Sequence, residues 1–160
     1  MLHTVILILG CGLYAGVSYT DIRTRRIPNE YIVGLLALAA FRLAVDGDPT
    51  SALYTLVANA ALFVATFLLF WRGLLGGGDV KLMVATGFLI GYHDVLGFLV
   101  VMSVSGGLIA VAILAGERLR RCPVLPSPEP DETRARLTVP YGAAIAIAAI
   151  FTLIVQFLPG

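Results

Sequence analysis

The chain is a succession of apolar blocks separated by short polar breaks. Six blocks stand out: about Leu2 to Tyr19, Tyr31 to Val45, Ala52 to Trp71, Val80 to Tyr92, Val95 to Ala115 and Val139 to Leu158. The first, third, fifth and sixth approach the roughly 20 residues that a helix needs to cross about 30 Å of hydrocarbon. The second and fourth are short. A helix of about 13 residues rises only about 20 Å, so the fourth block must recruit flanking residues, thin the bilayer or re-enter it. The expectation is an all-α membrane protein, a polytopic bundle of six transmembrane helices.

The charges support six crossings. Arg23, Arg25 and Arg26 follow the first block, Arg72 and Lys81 flank the glycine run before the fourth, and Arg118, Arg120, Arg121, Arg134 and Arg136 fall between the fifth and sixth. With six spans these residues share one side, and only Arg42 falls toward the other. The positive-inside rule then makes that side cytoplasmic and puts both termini outside, in a multi-pass protein of the bacterial inner (plasma) membrane. A fourth block that failed to cross would export the arginine-rich loop.

Composition agrees. Of 160 residues, 59% are hydrophobic and 13% charged, with a mean hydropathy of +0.93. Soluble domains run nearer 45–50% and about 25%. The expected organisation is one integral-membrane domain over residues 1–160, with residues 117–138 as a Pro/Arg-rich cytoplasmic loop and the lipid bilayer as its surroundings. The first block has no basic leader, so it reads as a retained helix. Cys11 and Cys122 form no CxxC pair, and His3 and His93 have no metal-ligand spacing. No metal, cofactor or nucleic-acid partner is expected, and self-association is left open.

Charged groups at membrane depth are costly and by default functional. Asp46, Asp48 and Asp94 fall in short outer loops where water solvates them, and Glu30 sits in the first turn of the second helix, where a carboxylate suits the helix dipole. Trp71 fits an interfacial anchor. Two acids remain: Asp21, closing the first helix in TDIRTRRIPN, and Asp79, opening the fourth in GGGDVKL. Both fall at the cytoplasmic ends of their helices. Two carboxylates in one poorly solvated site cannot both ionise easily, which yields an acid and a base able to activate water and protonate a leaving amine. Structural roles compete: Asp21 can pair with Arg25 one turn on, and Asp79 can cap the fourth helix.

Gly76, Gly77 and Gly78 permit unusual backbone angles and close approach. An irregular stretch beside Asp79 would let an unwound transmembrane substrate pair with it in strand fashion. Lys81 reads as a residue that snorkels to headgroups or holds an anionic group.

TDIRTRRIPN, with Asp21, Pro28 and Asn29, and GGGDVKL, with Gly76, Gly78, Asp79 and Lys81, resemble the paired signatures of type IV prepilin peptidases. These are GxGD-type intramembrane aspartic peptidases. VPYGAAIA, from Val139 to Ala146, resembles the start of that family's last helix. The resemblance implies that Asp21 and Asp79 are the catalytic pair, that Gly76, Gly77, Gly78, Lys81, Pro28 and Asn29 shape the site or bind substrate, and that no metal is needed. The implied substrates are prepilins or pseudopilins with short basic leaders, cut at the cytoplasmic membrane face in type IV or Flp pilus assembly and protein secretion. With no CxxC region ahead of the first span, the expected form is the short, peptidase-only one of the Flp or tight-adherence systems, without N-methylation. Glu30 is a further candidate for substrate recognition.

Two other classes compete. A small proton-coupled transporter would use Asp21 and Asp79 as ion ligands beside a broken helix start, but both acids sit at one boundary and no inverted repeat is visible. A non-catalytic assembly factor would need neither acid.

Overall fold

A computed structural model describes the backbone of residues 2–120 and 141–157, with side chains from 4–116 and 141–156. It is all-helical: α1 (Leu2–Thr24), α2 (Asn29–Asp46), α3 (Pro49–Trp71), α4 (Gly77–Ile90), α5 (Val95–Arg120) and α6 (Tyr141–Phe157). Each apolar block of the sequence becomes one helix. Three helices are long and apolar enough to cross a membrane, over Thr4–Thr24, Pro49–Trp71 and Val95–Gly116. The loop expected over 117–138 is partly helix, because α5 continues through Glu117 to Arg120. The rest of that loop, with Val139, Pro140 and Cys122, lies outside the described residues.

The short fourth block becomes the centre of the molecule. α4 packs against α2, α3 and α6, and its Val80, Leu82, Met83, Ala85, Thr86, Leu89 and Ile90 are buried. It starts three residues earlier than its apolar run, because Gly77, Gly78 and Asp79 form its first turn. Its length of about 21 Å is sheltered by protein on several sides. α3 and α5, by contrast, turn large apolar side chains outward: Leu53, Leu56, Phe63 and Leu68 on one, Leu96, Val100, Val104 and Leu108 on the other. An apolar surface of this extent suits lipid rather than water.

Small residues set the helix spacing. Gly16 of α1 lies against the Tyr31 ring, where an added methyl would meet the ring at 2.5 Å. At Gly87 of α4, a methyl would collide with the amide oxygen of Asn59. Asn59 is buried in α3, where its Nδ2 donates to the Thr55 carbonyl at 3.0 Å. α6 contributes a run of buried alanines, Ala143, Ala144, Ala146, Ala148 and Ala149, and packs against α1, α4 and α5. Close backbones compensate for the missing hydrophobic drive between helices in lipid.

The far end of α4 is tied down by the one cation that the charge pattern sets apart. Arg42 on α2 donates to the carbonyls of Leu89 and Ile90 and to Gln156 Oε1 on α6, and its Nε lies 3.5 Å from Asp46. Gln156 Nε2 donates to the same Ile90 carbonyl at 3.1 Å. A guanidinium here satisfies orphan carbonyls and opposes the negative end of the helix. Asp48 does the reverse for α3: its carboxylate accepts from the backbone N–H of Thr50 and Ser51. It is thus a helix cap, a role beyond the solvated loop acid read from the sequence.

Gly87→Ala should destabilise the protein by about 1–3 kcal/mol through overpacking against Asn59. Gly12→Ala, at a position with nothing within 4 Å, should be neutral or slightly stabilising. Reversible unfolding in detergent micelles measures both.

Candidate active site

Asp21 lies on a face of α1 fixed by periodicity. Ile6, Gly10, Tyr14, Val17 and Asp21 follow one another at steps of three or four, and all are buried. The stripe is apolar until its last member. Tyr14, midway along, donates its hydroxyl hydrogen bond to Thr86 Oγ1 at 3.0 Å, tying α1 to α4. Asp21 therefore points into the bundle because the rest of its stripe does. Its side chain is 7% exposed.

A carboxylate buried so far requires donors. One comes from α6: the backbone N–H of Ala143 donates to Asp21 Oδ2 at 3.1 Å. Ala143 is in the first turn of α6, whose amides have no partners within the helix. Asp79 sits at the start of a helix of its own. It occupies the first turn of α4, and its carboxylate lies against Gly76, the position that the acidic half of a capping box takes. The sequence-based alternative that Asp79 caps the fourth helix is thus partly realised. Its side chain reaches back to the N-cap residue, Gly76, and it remains half-exposed to the cleft.

The two acids share one cleft of about 640 Å³. Asn29, Gly76, Gly77, Gly78 and Lys81 line it too, so most of the residues singled out in the sequence come together. Lys81 Nζ lies 3.5 Å from Asn29 Oδ1 across the rim. Pro28 and Glu30 are outside the lining. Pro28 instead precedes the first turn of α2 in extended geometry, φ −61° and ψ 138°, and fixes where that helix starts. Glu30 is exposed beside it.

The glycines differ from the irregular stretch expected of them. Gly77 and Gly78 are helical, and Gly76 is an extended N-cap. The left-handed residue of this segment is Gly73, with φ 70°, in the turn leaving α3. Gly76 matters through space: a methyl there would stand 2.7 Å from Asp79 Oδ2. At Gly77 a methyl would press on Phe70 at 3.3 Å, and at Gly78 it would make an ordinary contact with Ile27 at 3.6 Å.

Tyr141, Arg25, Arg26, Ile27, Gly73, Leu74 and Leu75 complete the cleft and were not among the expected site residues. Neither was Gly142, where a methyl would sit 2.8 Å from the carboxyl carbon of Asp21. Its signal in the sequence was the VPYG stretch, but no spacing rule links residue 142 to residue 21. Among the described residues, no three His, Cys, Asp or Glu side chains gather as a metal site.

The sequence signature of the type IV leader peptidase family matches residues 6–111, two thirds of the chain and the segment that carries both aspartates. The chain belongs to the type IV leader peptidase family. Within it, the chain is 34% identical over 100 residues to the prepilin peptidase EppA of Methanothermobacter thermautotrophicus, covering 60% of this chain and 25% of that protein. It is 34% identical over 110 residues to the prepilin leader peptidase/N-methyltransferase of Bacillus subtilis, covering 68% of this chain and 44% of that protein. The chain thus spans less than half the length of either relative. No solved structure matches it. The family resemblance read from the two aspartate motifs is therefore confirmed.

Cysteines at the rim should react with a water-soluble maleimide in micelles when introduced as Lys81→Cys or Asn29→Cys in a background lacking Cys11 and Cys122, since both positions are exposed. Leu82→Cys, one residue on but fully buried, should stay unlabelled. Mass spectrometry of the labelled chain checks the contrast.

Proposed function

We propose that this leader peptidase family member is an aspartic endopeptidase that removes the short basic leader from prepilins or pseudopilins. The observation that carries the reading is the convergence of Asp21 from α1 and Asp79 from α4 on one cleft. One carboxylate takes a proton from a water molecule, whose oxygen attacks the scissile carbonyl carbon. The other, as the acid, protonates the departing amine as the tetrahedral intermediate collapses. The proton count closes within the pair, which is ready for another water. An extended segment would lie in this cleft, beside the non-helical backbone that precedes α4.

In this reading residues 1–160 form one membrane domain crossing six times, with the cleft at the cytoplasmic face. The support is the charge pattern: Arg25, Arg26 and Lys81 line the cleft, and Arg42 is bonded at the opposite end of α4. Gly76 gives room to Asp79; Gly77, Gly78, Lys81 and Asn29 shape the floor and rim, and Pro28 acts from outside the cleft by fixing where α2 starts. The pilin class served is of the Flp or tight-adherence type. The transporter reading loses its main support, because the helix start beside Asp79 is a regular first turn rather than a break that would offer carbonyls to an ion.

Co-expression with a candidate prepilin should shorten the pilin by its leader. Asp21→Asn and Asp79→Asn should each lower cleavage by about 10²–10⁴-fold, the usual worth of a general acid or base. Complete processing by both variants would refute the proposal. Gly76→Ala, which displaces Asp79, should cost about 10–100-fold, whereas Gly78→Ala should cost far less. Immunoblots of pilin length, normalised to the level of enzyme in the membrane, read all four.

A further inference from the structure

We infer that the first turn of α6 is a positioning element of the aspartate pair: Gly142 leaves the space that Asp21 occupies, and the Ala143 amide fixes how its carboxylate is turned. The inference rests on the peptidase reading and adds to it two residues beyond the segment that matches the family signature.

Three observations carry it. A methyl at residue 142 would stand 2.8 Å from both the carboxyl carbon and Oδ2 of Asp21, and 3.2 Å from its Cβ. No flexible chain end lies there to yield; the neighbour is the short, buried side chain of the aspartate itself. The amide of the next residue, Ala143, is bonded to Oδ2 at 3.1 Å. Holding one oxygen fixes the carboxylate plane, and with it the direction in which Oδ1 is presented. Finally, the close approach repeats at the other acid: a methyl added at Gly76, the N-cap of α4, would stand 2.7 Å from Asp79 Oδ2.

Each carboxylate is therefore seated on the beginning of a helix, with a glycine where a side chain would displace it. For Asp79 the helix is its own. For Asp21 the helix is α6, which meets α1 through space although Ala143 lies 122 positions along the chain from Asp21. Partially positive amides at a helix start favour an anionic group, so α6 offers Asp21 a donor. Gly142 and Ala143 touch no reacting atom in this scheme. They act through Asp21, and their loss should lower turnover rather than substrate affinity.

The test uses the full-length enzyme with a purified prepilin. Gly142→Ala should lower kcat by about tenfold or more with KM within about twofold of wild type, since removal of transition-state interactions leaves ground-state binding in place. Gly106→Ala, on the α5 side of the same helix where a methyl would meet Ala144 at an ordinary 3.7 Å, should retain kcat. Replacing the Ala143 amide by an ester removes the N–H without adding bulk and should likewise lower kcat. The same replacement at Ala146 removes an ordinary helical amide and should leave kcat unchanged while lowering thermal stability. Wild-type kcat in both Gly142→Ala and the Ala143 ester overturns the inference.

A second readout does not depend on peptidase activity. In selectively ¹⁵N-alanine-labelled protein, the Ala143 amide resonance should move in Asp21→Asn and in Gly142→Ala, with that of Ala146 unmoved. A stationary Ala143 resonance overturns the inference. If wild type cleaves no pilin but the Ala143 resonance moves, the positioning contact stands and the peptidase reading fails.

Discussion

A carboxylate cannot be carried into an apolar helix bundle without a donor to meet it, and the organisation of one end of this protein follows from how Asp21 is met. An unpaired buried charge costs several kcal/mol. One donor that meets it is a helix end, the first turn of α6. For the Ala143 amide to reach Oδ2, α6 must approach α1 at the level of its last turn, and a side chain larger than hydrogen at residue 142 would block that approach. The alanine-rich composition of α6 keeps the approach close along its length.

The position of α4 follows from the same constraint on polar groups in apolar surroundings. A helix leaves unpaired backbone groups at both ends, and the two ends of α4 are satisfied differently. At the cleft, Asp79 lies against Gly76 in the first turn. At the far end, Arg42 and Gln156 collect the carbonyls of Leu89 and Ile90. Between them α4 is enclosed by α2, α3 and α6, with Gly87 seated on Asn59.

Much of this was legible along the chain. The blocks of apolar residues mark out all six helices, because a block long enough to be helical and bounded by Pro, Gly or charge has few other ways to satisfy its backbone. The two aspartates stand out for the same reason: TDIRTRRIPN and GGGDVKL place acids against apolar helices where solvation is poor. Pairing them needed only the topology. The glycine run was harder to read, since three consecutive glycines favour a loop by local propensity. They form a cap and a helical turn here because Asp79 reaches back to Gly76 and α4 is held by its neighbours. Arg42 was visible as the odd cation of the charge pattern, but its carbonyl partners were not.

By itself, the sequence determined the helical class, the membrane character, the number of apolar blocks and the identity of the two acids, since these depend on composition, block length and local order. Only the tertiary structure decided that the shortest internal block would be central, that Pro28 stands outside the cleft while Tyr141 lines it, and that Gly142 backs Asp21. Those facts concern distances between residues far apart in the chain. Such distances are set by how closely helix surfaces fit, and a fit between two surfaces is not written in the order of residues along either one.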